Sequence, residues 1–338
     1  MKRQPGITVS AVVLILGSLL QLLFAFGAAA AGFIEHRQIA SGGNVAARAG
    51  GPIAAWMPVF MYGFSAFLVA LAVWGILTAV GLFRLRRWAR YSVLVIGGCL
   101  VLLGLPSMVM MLILMVVPLP MPASVDPSQS QMVHTYTKVM FGVISAFYGI
   151  VCAVGISWLV YFNRKSVREA FAGAPGQVIE SRRPLLISVI AVFSMIGGIS
   201  CLLMALLPFP GAFLGFILHG WERVAVYLAF AALMLAGGVG LWRLEEWGRR
   251  LALALQVVGL AQYVVYIVRP SLLTDYTAQL NQTMNLAQPP MAAPFQTLMY
   301  EVSFGFGTIL IFAVLWILVH YRGAFQHPAA PSQIESPA

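Results

Sequence analysis

The side chains that could do chemistry are few and scattered. Five histidines, three cysteines and ten acidic residues are spread over 338 positions. His36, His134 and His219 fall on one side of the apolar segments and His320 and His327 on the other, so no two sit at matching depth as a haem ligand pair would. Cys99, Cys152 and Cys201 each lie inside a long apolar run and read as small apolar residues, not as a disulfide framework or metal ligands. There is no His-Glu-x-x-His, no Gly-x-Ser-x-Gly, no phosphate-binding glycine loop and no pair of carboxylates at helical spacing within an apolar segment. The expectation is a protein that is not an enzyme and holds no catalytic residue, metal or cofactor.

What remains is a set of polar groups within or at the ends of apolar segments, where a polar side chain needs a partner or a task. Gln256 and Gln262 lie in one segment, Glu301 and Ser303 at the start of another, and Glu222 with Arg223 at the start of a third. Arg223, Gln256, Gln262, Glu301 and Ser303 could line a polar vestibule, with Arg223 and Glu301 paired and Gln262 below them. Alternatively each satisfies a neighbouring helix or reaches the headgroups. Two stripes of small residues, Ser145, Gly149, Ala153 and Ser157, then Ala232, Ala236 and Gly240, are spaced for close helix contact.

The elements that must position these groups are membrane helices. The chain is 61% hydrophobic and 9% charged, with a mean hydropathy of +0.91, far above the roughly 45–50% apolar content of soluble domains. Eight apolar stretches are long enough to cross the bilayer as helix: about 7–31, 55–83, 88–105, 139–162, 185–207, 221–242, 247–268 and 295–320. The first follows a basic start, as a signal peptide would, but its apolar run is longer than a signal core and reads as a retained span. After Pro106, Met108–Val117 continues the third helix with a kink or lies at the interface. The stretch from Leu272 to Met284 carries an apolar face (Leu272, Leu273, Tyr276, Leu280, Met284), as a surface helix or a solvated loop cap.

Gly81–Arg90 (GLFRLRRWAR) reappears as Gly240–Arg249 (GLWRLEEWGR), identical at six of ten positions. Each copy is a charged interruption between two apolar runs, as a tight turn between helices would be. Laying Ile7–Ala25 on Ile187–Ala205 adds eight identities without a gap. The fold expected is therefore all-α and polytopic, two parallel repeats of four helices related by a pseudo-two-fold along the membrane normal. Residues 1–165 form the first repeat, 166–184 a basic linker, 185–325 the second repeat and 326–338 a disordered tail.

Fifteen of the 20 basic residues fall on the side of the two turns, which places both termini in the cytoplasm and the protein in the plasma (inner) membrane. Arg84, Arg86, Arg87 and Arg90, with Glu245 and Glu246 where the second copy replaces two arginines, are candidates for lipid contact or docking. Through Arg87-Trp88-Ala89-Arg90, after Gly-Leu-Phe-Arg-Leu, the chain resembles a cytoplasmic turn of uncharacterised bacterial multi-span membrane proteins. That resemblance covers about ten residues per copy; it implies membrane topology and carries no activity.

Two function classes follow. One is a non-catalytic membrane subunit or scaffold, with lipid and other membrane subunits as partners and no nucleic acid. The other is a small-solute or lipid transporter or channel, with its path between the repeats.

Overall fold

The computed structural model describes residues 5–40, 51–116, 127–172, 184–207, 209–269, 271–283 and 292–325. The helices are α1 (Pro5–Ala40), α2 (Gly51–Phe83), α3 (Arg87–Val116), α4 (Pro127–Asn163), the short α5 (Lys165–Ala172), α6 (Leu185–Leu206), α7 (Gly220–Trp242), α8 (Glu246–Val268), α9 (Ser271–Thr283) and α10 (Ala292–His320), with a 3-10 turn at Arg322–Phe325. Seven of them (α1–α4 and α6–α8) are long and apolar enough to cross a membrane; α10 adds a shorter apolar stretch, Phe304–His320. The protein is an all-α polytopic membrane protein by these helices.

Neighbouring helices pair as hairpins: α1 with α2, α3 with α4, α6 with α7, α8 with α10. The seams between them are made of small residues seven apart. On α1 these are Ala11, Ser18, Ala25 and Gly32, and on α2 Pro58, Ser65, Ala72 and Ala79, all buried. Ser65 donates to the Ala25 carbonyl at 2.8 Å. On α6 the series is Ala191, Gly198 and Ala205, facing Ala231 and Gly238 of α7. A Cβ added at Gly238 would lie 2.9 Å from the Ala191 carbonyl oxygen, and one at Gly198 3.1 Å from that of Ala231. Lipid already satisfies apolar surface, so helix contact here rests on close backbone approach and dispersion.

The expected small-residue stripes divide between helix contacts and exposed positions. Ser145 is buried and donates to the Met108 carbonyl at 3.3 Å, and Gly149 faces the Met108 sulfur. Ala153 and Ser157 are exposed, as is Ala232; Ala236 is half-buried and Gly240 buried. Each step of four residues advances about 400° around a helix of 3.6 residues per turn, so a four-step stripe drifts by roughly 40° per step. A seven-residue step drifts by about half that in the opposite sense and stays on the partner.

Two apolar cores lie at the end of the bundle that holds the turns. One joins Ile7 and Ala11 (α1), Leu82 (α2), Ala89 and Val93 (α3), Phe162 (α4) and Val167 and Phe171 (α5). The other joins Ile187 and Ala191 (α6), Leu241 (α7), Ala252 (α8), Leu318 (α10) and Phe325. A third cluster, Val95 and Cys99 of α3 with Val189 of α6, joins the halves, with Trp74 packed against it.

Several boundaries move. α1 continues through Glu35-His36-Arg37 because Gly32 still packs on Met61 and Pro58. α3 is one helix through Pro106, which takes the N–H from the bond to the Leu102 carbonyl, and Ser107 Oγ donates to the neighbouring Leu103 carbonyl at 2.8 Å. The expected linker starts inside the first core, at Val167 and Phe171; its residues 173–183 and the tail 326–338 lie outside the described residues. Trp158 is buried in the first core. The Leu272 segment is a helix, α9, with Leu272 buried; Met284 lies outside the described residues. The loop before α7 holds an antiparallel β-hairpin, β1 (Gly211–Phe213) and β2 (Phe216–Leu218), which an all-α reading does not contain.

Candidate functional site

The charged turns are built alike to the hydrogen bond. In the first, Arg84 N–H donates to Val80, Leu85 N–H to Leu82 and Arg86 N–H to Gly81; in the second, Arg243, Leu244 and Glu245 donate to Val239, Leu241 and Gly240. The bond spanning five residues, with the residue before its donor in the left-handed region, is a Schellman helix end. That left-handed residue is leucine in both copies, Leu85 at φ 49° and Leu244 at φ 58°. Glycine would avoid a cost of roughly 1–2 kcal/mol there, but each leucine packs against its core.

The charge change is absorbed locally. Arg249 donates to Glu246 through Nε at 2.8 Å and Nη2 at 2.6 Å, and Arg250 Nε lies 3.2 Å from the same carboxylate. Glu245 accepts from the Trp247 indole. In the first copy Arg87 stands where Glu246 does, and Arg90, the counterpart of Arg249, donates instead to the Phe162 carbonyl at 2.9 Å. Arg90, Glu245 and Glu246 thus bond through their side chains at the two junctions, whereas Arg84, Arg86 and Arg87 are exposed.

At the opposite end the second half opens. A cavity of about 290 Å3 lies between α6, α7 and α8 and under the β-hairpin. Its walls are apolar, with Phe213, Val226, Phe230, Met234 and Leu255 prominent, and its polar lining comes from Cys201, Tyr227, Gln256 and Gln262. Phe213 and Phe230 meet edge to face with centroids 5.2 Å apart. This brings together two of the five vestibule residues, Gln256 and Gln262.

The two glutamines have different tasks. Gln262 buttresses the hairpin turn, where Leu214 (φ 45°) and Gly215 (φ 90°) are both left-handed, as a two-residue type I′ turn demands. Its Oε1 accepts from the Leu214 N–H, its Nε2 donates to the Ala212 carbonyl at 3.3 Å, and the Tyr266 hydroxyl reaches that carbonyl at 3.5 Å. Gln256 has no hydrogen-bond partner among the described residues. About 14 Å along α8 from Trp247, it sits near the middle of a helix of 23 residues.

Arg223 is buried below β1, its stem against Gly211, and donates to the Met204 and Ala205 carbonyls at 3.2 and 3.3 Å. These carbonyls lie in the last turn of α6, where Met204 also accepts from the Leu207 N–H at 3.2 Å, so the guanidinium caps a helix C-terminus. The side chains of Glu301 and Ser303 lie outside the described residues, and with them the expected Arg223–Glu301 pair. His219 Nε2 and Gln279 Oε1, 2.8 Å apart, tie α9 to the start of α7.

Matching positions in the first half carry no polar side chain. Gly97 occupies the place of Gln256 in the chain order after the turn, and a Cβ there would lie 3.1 Å from the Gly155 carbonyl oxygen; one at Gly155 would lie 2.7 Å from that of Gly97. Leu68 and Leu103 stand where Tyr227 and Gln262 do. The cavity and its polar lining arise where the second half departs from the first. Sequence reading found the glutamines but not Tyr227, whose signal is only a phenol where the other copy has leucine.

Among the described residues, no group of three or more His, Cys, Asp or Glu side chains converges as a metal site. No protein-family model, no curated protein and no solved structure matches this chain.

Proposed function

We propose that this protein is a non-catalytic integral membrane subunit. It is built as a duplication of four spans, with the turns and both termini on the cytoplasmic side of the inner membrane and α10 as the eighth span. The matched turns, the matched cores and the excess of basic residues on the side of the turns support this topology.

One observation carries the subunit reading. The chain builds one interface between halves, in which Val189 and Leu203 of α6 press on Gly98 of α3 and Gly63 of α2. In the alignment of Ile7–Ala25 on Ile187–Ala205, the α1 residues that match them are Val9 and Leu23, and these are 61% and 67% exposed. The receiving face has a counterpart too: Val257, which matches Gly98, is 57% exposed. A closed two-fold would bury both. The halves instead relate head to tail, leaving one face free at each end. We place α1 of a second copy of this chain on the α7/α8 face, a heterologous contact that repeats the internal one. The apolar seam of Val95, Cys99 and Val189 fills the place where a transporter would carry its path between repeats, which favours a subunit over a small-solute or lipid transporter.

Cysteine crosslinking tests it, with Cys99, Cys152 and Cys201 replaced by alanine. Co-expressed V9C and V257C chains should crosslink into a dimer, as Gly98→Cys with Val189→Cys should crosslink within one chain. A yield no greater than that of the outward pair Phe147→Cys and Phe312→Cys would remove self-docking. If a different protein then co-purified with the chain through α1, the subunit reading would stand without it.

A further inference from the structure

We propose that the cavity of the second half binds an uncharged, lipid-soluble molecule through a carbonyl group, which accepts hydrogen bonds from the Gln256 amide and the Tyr227 hydroxyl. The argument starts from the cost of those two groups. Neither has a hydrogen-bond partner among the described residues, and Gln256 stands near mid-helix, where water is scarce. An amide transferred to hydrocarbon without a partner costs on the order of several kcal/mol. The fold does not require them: the first half has Gly97 and Leu68 at the matching positions.

The walls restrict the class further. No acidic or basic side chain lines the cavity among the described residues, so a charged ligand has no counter-ion there. Arg223 is directed to the end of α6 instead. At about 290 Å3 the space is roughly twice a cavity that takes benzene, enough for a substituted ring or a short acyl segment. Both groups can donate to a carbonyl, and the aromatic pair Phe213 and Phe230 suits a flat body. Ester carbonyls of bilayer lipids lie near the hydrocarbon boundary, about 15 Å from the midplane. The depth of Gln256 therefore favours a quinone-type or other ring ketone over a lipid ester.

Cys201 lines the cavity and serves as a reporter. In full-length protein in nanodiscs, with Cys99 and Cys152 replaced by alanine, alkylation of Cys201 by a small maleimide is followed by mass spectrometry. Tetramethyl-1,4-benzoquinone, which has no open ring position for the thiol to add to, and methyl octanoate are the two probes. The quinone should slow alkylation about tenfold or more at saturation, and the ester less. Gln256→Leu should weaken that protection about tenfold and Tyr227→Phe several-fold, each measured against the same variant's alkylation rate without probe. Protection by the ester alone would keep carbonyl binding and assign it to a lipid acyl ester. Absence of protection by either probe would overturn the proposal, as would full protection in both variants. Should Gln256→Leu fail to fold, Tyr227→Phe alone decides.

Discussion

The two ends of the bundle have been held to different standards. At the end with the turns, the halves agree in backbone hydrogen bonds, in the left-handed leucine and in the residues that form each core. Away from it they part: α6, α7 and α8 border a cavity roofed by a hairpin that has no counterpart among the described residues of the first half, and Gly97, at the place of the cavity's Gln256, packs instead on Gly155 of α4. A shared end that fixes four helix termini is a folding device. The end that diverges in packing and polarity together is where a specific task has room.

The comparison breaks most readily at Gly97. Gly97→Gln, which gives the first half the residue of the second, forces a side chain against the α4 backbone. It should cost about 3 kcal/mol or more, read as a large drop in the detergent melting temperature; a mild effect would mean that α3 and α4 are not sealed there.

Next come the turns. Leu85→Val and Leu244→Val place a β-branched residue in the left-handed region and should each cost about 1–2 kcal/mol. The glycine variants, which trade strain for lost contact, should stay within about 1 kcal/mol of the parent. Unequal responses of the two turns would separate junctions that look alike.

The smallest effect has the opposite sign. Gln256→Leu removes an unpartnered amide and should stabilise the ligand-free protein by about 1 kcal/mol. Destabilisation would show that the amide is already satisfied.

Much of this architecture was legible as punctuation. The duplicated turn stood out because charged residues are rare between apolar runs, and membrane helices need no more than length and hydropathy to be seen. The seams were not legible in the same way. In an apolar chain rich in Ala, Gly and Ser, stripes at four and at seven look equally good, and only the partner helix chooses; Ala153 and Ser157 lost to the series that carries Cys152. The hairpin was hidden because 208–220 reads as a short loop between two spans, and Gly215 is the only mark of its two-residue turn. Gln256 and Gln262 were equivalent in sequence. Their separation into an occupied buttress and an open donor depends on a backbone fold six residues and a loop away.

Helix length carries a last consequence. α1, α2 and α4 have 36, 33 and 37 residues, whereas α6, α7 and α8 have 22, 23 and 23. At 1.5 Å per residue the first set reaches about 50–55 Å and the second about 33–35 Å, against a hydrocarbon thickness of about 30 Å. In the second half α10, at 29 residues, exceeds one span as well, so α6, α7 and α8 are the short members of the bundle, and they are the helices that border the cavity.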